Sequence, residues 1–96
     1  MLKRLFMICK INILKNANED LDWLRKNDRK SYCKCFDLVR ELMENPREGT
    51  GKPERLKYFA KEVYSRRINQ EDRLVYTIYE NTGEIDISSF RGHYKK

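Results

Sequence analysis

Apolar and polar residues alternate near the start of the chain, from Met7 to Ile13. Every second side chain in this stretch is apolar, and Lys10 and Asn12 stand between the apolar positions. Successive side chains of a strand point to opposite sides, so a period of two is typical of a strand with one buried face. We therefore expect the first element to be a β-strand.

The apolar spacing then changes to four and three residues, which places side chains on one side of an α-helix. The apolar positions of this first helix are Ala17, Leu21 and Leu24. Trp23 falls at the rim of the stripe. Asn16 or Asn18 is suited to cap the helix, because a short polar side chain can accept hydrogen bonds from the first backbone N–H groups.

A second and longer helical stripe follows Asp28, which is a good capping residue. Its apolar positions are Tyr32, Cys35, Phe36, Val39, Leu42 and Met43. Asn45-Pro46 should end this helix, since proline disfavours the helical conformation in the residue before it. The connection between the two helices is short, so we predict an antiparallel helical hairpin.

The period returns to two in the second half of the chain. The pattern predicts a brief strand that opens at Leu56 and then three more strands: Val63–Ile68, Arg73–Tyr79 and Ile85–Phe90. Turn-forming residues separate them at Asn69–Asp72 and at Asn81-Thr82-Gly83. The predicted fold class is α+β: an N-terminal strand, a two-helix hairpin and then an antiparallel meander, with the helices on one face of the sheet.

The strand pattern also assigns the two faces of this sheet. Leu74, Tyr76 and Ile78 should face the helices, and the residues between them should face the other side. If the turn spans residues 69–71, Arg67 pairs directly with Arg73 on the open face, with Ser65 beside them. Like charges placed directly opposite each other destabilise a sheet. An anion bound between the two arginines would explain the pair.

Length and composition predict a single domain. The chain has 96 residues, and an alternative start at Met7 would make residues 1–6 an N-terminal extension of a domain at 7–96. No stretch reaches the 18 or so apolar residues of a membrane span. Three cysteines without a secretory signal favour a reducing cytoplasm. The formal net charge of +6 favours a polyanionic partner, either nucleic acid or an acidic protein.

The stretch Gly49–Lys57 contains two glycines and two lysines, residue types that nucleotide-binding loops use, but its spacing excludes a P-loop. The motif would need a glycine where Pro46 stands and a Ser or Thr where Pro53 stands. A metal site is not expected either, because Cys33, Cys35 and the single His93 do not form a four-ligand set.

Four short motifs occur in order: G-K-P-E-x-L-K at 51–57, Y-S-R-R-I at 64–68, R-L-V-Y at 73–76 and H-Y at 93–94. Each is weak alone, but the combination resembles the YoeB/Txe toxins of the RelE superfamily over about half of the chain, from Gly49 to Tyr94. The resemblance implies a ribosome-dependent endonuclease that cleaves mRNA in the ribosomal A site. It also implies inhibition by an antitoxin of the YefM/Axe type.

The resemblance further implies a role for each matched residue. Glu54 would be the general base and His93 the general acid, while Tyr94 would orient the chemistry or stack on a base. The remaining matched residues would hold the scissile phosphate: Arg67, Arg73, Lys57 and, with a weaker claim, Lys52.

These residue types suit RNA cleavage on chemical grounds as well. RNA carries its own nucleophile, the 2′-OH, so cleavage needs a base to remove its proton and an acid to protonate the leaving 5′-oxygen. A cationic cluster stabilises the charge that develops on the phosphorus centre. We therefore expect a reaction that needs neither metal nor cofactor.

The sequence also departs from the family pattern. Lys95 and Lys96 follow the His-Tyr pair, where relatives tend to end. The aromatic pattern of the family's first helix is replaced by Asn18, Leu21 and Leu24, which leaves a homodimer an open question. The alternative function is a non-catalytic member of the same fold, whose basic face only docks RNA or an acidic antitoxin.

Overall fold

A computed structural model describes residues 8–92 of the chain. Its elements are β1 (Lys10–Ile13), α1 (Lys15–Asn27), α2 (Arg29–Glu44), β2 (Glu54–Arg55), β3 (Glu62–Arg67), β4 (Arg73–Tyr79) and β5 (Glu84–Gly92). The five strands form one sheet in the order β1-β5-β4-β3-β2. Strands β2 to β5 are an antiparallel meander, as the sequence predicts, and β1 lies parallel to β5 at the edge.

The core lies between the helices and one face of the sheet, and the predicted α+β class is confirmed. Leu74, Tyr76 and Ile78 all point into this core. The helices contribute their buried stripes: Ala17, Leu21, Leu24, Cys35, Leu38 and Leu42. Cys35 behaves as the small core residue that its position predicts, and burial raises the pKa of its thiol to about 12. Each buried leucine of these stripes stabilises the fold by roughly 1.5–3 kcal/mol.

Two of the six apolar positions predicted for the second helix are exposed rather than buried or half-buried. Phe36 is 45% exposed and Met43 is 58% exposed. Both lie at the edge of the buried stripe of α2. The centre of that stripe includes Leu38, which the pattern did not include but which is buried in the core. The predicted cap of this helix is confirmed, since the Asp28 carboxylate accepts a hydrogen bond from the backbone N–H of Ser31 at 3.2 Å.

The predicted asparagine cap of the first helix is wrong. The helix begins at Lys15, its N-cap is Leu14, and no side chain caps it. The reason lies in the sheet: the Leu14 N–H donates to Ile87 O at 3.0 Å, so β-type pairing continues up to the first helical residue. The chain therefore passes from strand to helix without a capping loop.

Strand β2 also differs from its prediction. It consists of Glu54 and Arg55 rather than opening at Leu56. The Leu56 N–H still donates to Val63 O at 2.8 Å, but pairing with β3 starts two residues earlier. This shift brings Glu54 into the sheet.

None of the helices within residues 8–92 is both long and apolar enough to cross a bilayer.

Candidate catalytic and phosphate-binding face

The sheet brings three of the predicted site residues to one face. Glu54 pairs with Ser65 across β2 and β3, and Ser65 pairs in turn with Val75 on β4. Residues paired directly across a sheet point to the same side, so Glu54 lies on the side of Ser65. Arg67 is two residues beyond Ser65 on β3 and therefore points to that side as well.

The predicted pairing of Arg67 with Arg73 is confirmed. Arg67 is exposed, whereas Arg73 is half-buried and its Nη1 donates to Ser65 Oγ at 3.2 Å. Gly92, the last described residue, pairs with Arg73 from the opposite side. Two guanidinium groups thus share one row of the sheet, which is a suitable arrangement for a phosphate.

The loop before β2 lies against the end of β3. Gly51 O accepts a hydrogen bond from the Arg67 N–H at 2.7 Å. A Cβ at Gly51 would lie 2.8 Å from Arg67 O, and its φ of +86° is in the left-handed region, so only glycine fits there. Lys52 follows with a φ of 50° and is exposed. The glycines of this loop allow a close backbone approach to the strand.

The remaining predicted site residues are not among the paired residues of this face. Lys57 is exposed in the turn between β2 and β3. His93 and Tyr94 lie outside the described residues, so their predicted roles stay predictions. In sequence they follow Gly92, whose pairing with Arg73 is given above.

Sequence reasoning missed Arg66, which is fully buried on the helix side of β3. Its Nε donates to the Tyr76 hydroxyl at 3.1 Å, and that hydroxyl donates to Pro46 O at 2.6 Å. Its two Nη atoms donate to one carboxylate and three carbonyl groups: Glu41 Oε1 at 3.3 Å, Thr50 O at 3.4 Å, Asn45 O at 2.6 Å and Glu48 O at 2.8 Å. The guanidinium therefore ties residues 45–50 to the sheet.

Glu41 on α2 completes this cluster. Its Oε1 accepts the Thr50 N–H at 2.8 Å, and this bond, with the nearby Arg66 charge, holds the pKa of Glu41 below its ordinary value. A Cβ at Gly49 would lie 2.6 Å from Glu41 Oε1 and 3.0 Å from Arg66 Nη1. The loop that leads to Glu54 is thus held by an arginine in the core. One signal in the sequence pointed to it: Arg66 occupies a core-facing position of a strand with period two.

Sequence reasoning also missed how the end of β5 is held. One carboxylate oxygen of Asp20 on α1 accepts three hydrogen bonds, from Ser89 Oγ at 3.0 Å and from the N–H groups of Phe90 and Arg91 at 3.0 and 3.1 Å. The Arg91 guanidinium lies 3.5 Å from the centroid of the Trp23 ring. Helix α1 therefore fixes the strand that ends opposite Arg73.

Within residues 8–92, no group of three or more His, Cys, Asp or Glu side chains is arranged to hold a metal ion.

Solved structures define the class to which this fold belongs. The chain superposes on a YoeB dimer from Staphylococcus aureus with a TM-score of 0.80 and 41% identity, over 91% of this chain and 99% of that one. It superposes on a heterotetrameric YoeB-YefM toxin-antitoxin complex from the same organism with a TM-score of 0.74 and 41% identity, over 88% of this chain and 95% of that one. The fold is that of a small α+β toxin.

The sequence comparisons narrow the class to a family. A family model described as the YoeB-like toxin of bacterial type II toxin-antitoxin systems matches residues 14–94. A YoeB toxin from Synechocystis is 40% identical over 77 residues, which are 80% of this chain and 87% of the relative. This chain belongs to the YoeB family of toxins.

Proposed function

We propose that this toxin is an endoribonuclease that cleaves mRNA in the A site of the ribosome and so inhibits translation in the cytoplasm. The observation that carries the proposal is the shared face of Glu54, Arg67 and Arg73, which the pairing of β2, β3 and β4 creates. A general base thus lies on the same side of the sheet as two cations that can hold a phosphate.

In the proposed reaction, Glu54 removes the proton from the 2′-OH next to the scissile phosphate. The 2′-oxygen attacks phosphorus, the bond to the 5′-oxygen breaks, and His93 protonates that oxygen as it leaves. Arg67 and Arg73 bind the phosphate and stabilise the extra negative charge of the transition state. Lys57 and Lys52 contribute further phosphate contacts, and Tyr94 orients the leaving group or stacks on a base. The products are a 2′,3′-cyclic phosphate and a free 5′-hydroxyl.

Structures of relatives support a proposal for the partners of this toxin. The Staphylococcus aureus structures contain a YoeB dimer and a YoeB-YefM complex. We propose that an antitoxin of the YefM type binds this chain as well and keeps it inactive. The +6 charge suits both an acidic antitoxin and a pocket lined by rRNA.

The test is primer extension on mRNA from cells that express the wild type, Glu54→Gln or His93→Gln. We expect specific cuts with the wild type and none with either variant. Glu71→Gln, at an exposed glutamate of the β3–β4 turn, is the matched control and should cut normally. Uncut mRNA with the wild type would favour the alternative, a binding module without catalysis.

Purified components test the mechanism. Ribosome-bound message should be cut much faster than naked RNA. EDTA should not reduce the slow cleavage of naked RNA, which is measured without ribosomes because ribosomes themselves require Mg²⁺. A substrate with a 2′-deoxy nucleotide at the scissile position should resist cleavage. Cleavage of that substrate would refute attack by the 2′-OH.

A further inference from the structure

A shallow depression of about 250 Å³ lies on the open face of the sheet. Its lining includes Phe59 from the β2–β3 connection, Val63 on β3, and Val75 and Thr77 on β4. A water molecule takes up about 30 Å³ in the liquid, and pockets for drug-sized ligands begin at roughly 300 Å³. The depression therefore suits one flat ring system rather than an ion or a large ligand.

The depression adjoins the proposed catalytic face. Val75, which lines it, pairs with Ser65, and Ser65 pairs with Glu54. Arg67 and Arg73 form the next row of this face, two residues further along the strands, which is roughly 7 Å. A ligand whose phosphate lies between these arginines can place a neighbouring ring in the depression.

The walls combine an apolar floor with a polar rim. Val63 and Val75 are buried, and Phe59 offers a ring that is 48% exposed. At the rim, the Lys61 ammonium group donates to the Tyr79 hydroxyl at 3.3 Å. The carboxylates of Glu62 and Glu80 share the single charge of Arg47. Asp86 and Glu84 pair with Thr77 and Tyr79, so Lys61 is balanced by acidic residues and the depression itself is not strongly charged.

We infer that the depression binds a nucleobase of the RNA, from one of the two nucleotides that flank the scissile phosphate. Nucleobases stack on aromatic side chains such as Phe59, and the phosphate next to the base carries the negative charge that the adjoining Arg67 and Arg73 can hold. A hydrophobic side chain of a protein partner would fit the floor but would not require the adjoining phosphate row. This inference rests on the proposed function and adds a residue, Phe59, that selects or orients the substrate.

The experiment combines protein and RNA changes in single-turnover cleavage on programmed ribosomes. Wild type and Phe59→Ala are each given an intact message and two messages with an abasic nucleotide, one on either side of the cleavage position. We expect Phe59→Ala to cut the intact message about ten-fold more slowly, as expected for one lost stacking contact. One of the two abasic messages should be cleaved by the wild type about ten-fold more slowly than the intact message. Phe59→Ala should cleave that abasic message as fast as it cleaves the intact one. Phe59→Trp, which keeps a ring, should cleave the intact message at nearly the wild-type rate.

Phe36→Ala is the matched control, because Phe36 is exposed to a similar degree, 45%, but lies on α2. It should leave cleavage unchanged. If Phe59→Ala cleaves each abasic message more slowly than the intact one by the same factor as the wild type does, the two losses of rate multiply. The ring and the base then act independently, and the inference is wrong. The inference is also overturned if Phe59→Ala cleaves normally and only antitoxin binding weakens. Failure of the wild type to cleave any message overturns the proposed function and this inference with it.

Discussion

Arg66 and Arg67 are neighbours in the chain, yet their side chains lie on opposite faces of β3. Arg66 is fully buried and donates to one carboxylate, one hydroxyl and three carbonyl groups. Arg67 is exposed and pairs with a second arginine, Arg73. Arginine thus serves two purposes in this strand. The hydrogen bonds of the buried Arg66 are satisfied by the protein, whereas the exposed Arg67 lies beside Arg73, where an anion can bind both positive charges.

The two faces differ in the same way. The helix face carries a continuous apolar core with one charged cluster, whereas the open face carries Glu54, two arginines and a shallow depression. The open face is not uniformly exposed to solvent, since Ser65 and Val75 on it are buried. Changes on the helix face should therefore act on stability, and changes on the open face should act on substrate binding and cleavage.

The largest effect on stability should come from Arg66→Met. The change leaves the Tyr76 hydroxyl, the loop carbonyls and Glu41 without their donor, so we expect a loss of about 3–5 kcal/mol in the free energy of unfolding. Urea denaturation measures it. Arg67→Met is the matched control and should change the stability little, or raise it slightly, because it relieves the repulsion with Arg73. Equal losses for both variants would remove the distinction between the two faces.

Arg73→Ala should act on the reaction instead. We expect its single-turnover rate on ribosomes to fall by roughly two orders of magnitude, the loss typical of one charge donor in a preorganised site. Ribosome affinity should fall much less, because other basic residues still contact phosphates. Folding should survive. If saturated Arg67→Ala and Arg73→Ala both cleave at the wild-type rate, the arginines serve docking alone.

Asp20→Ala tests how firmly the end of β5 is held. The change removes the acceptor of three hydrogen bonds and leaves the Phe90 N–H without its partner, whereas the Arg91 N–H keeps its bond to Ser89 Oγ at 3.0 Å. We expect a loss of about 2 kcal/mol in stability. Cleavage should slow as well, since this strand ends opposite Arg73. Thermal unfolding and single-turnover cleavage measure the two effects. Asp22→Ala, on the exposed side of the same helix, should change neither.

The smallest effect concerns acid stability. Arg47 hydrogen-bonds Glu62 and lowers the pKa of that carboxylate from its ordinary value of 4.5. A lowered pKa in the folded state stabilises the protein above pH 4.5, and this contribution is lost as the pH falls through the folded-state value. Glu62→Gln should therefore cost about 1 kcal/mol at neutral pH and less at pH 3. Unfolding at the two pH values, with the exposed Glu44→Gln as control, measures it; an equal cost at both would contradict the ion pair.

Local pattern was enough to predict most of the elements. The periods of two and 3.6 predicted the meander, the helical hairpin and the core face of β4, because they depend only on which side of an element faces apolar surroundings. The turn at Asn69–Asp72 was predicted from its residue types, and the Asn69 side chain does accept the N–H groups of Glu71 and Asp72. That turn length in turn predicted the register that places Arg67 opposite Arg73.

Tertiary structure decided what depends on partners distant in the chain. The parallel pairing of β1 with β5 joins residues more than 70 positions apart, and it also set the start of α1. Arg66 finds acceptors 10 to 25 residues away, and Asp20 holds a strand about 70 residues away. A sequence pattern shows that a side chain is polar or apolar, but a buried charge is stable only where the folded chain supplies its hydrogen bonds.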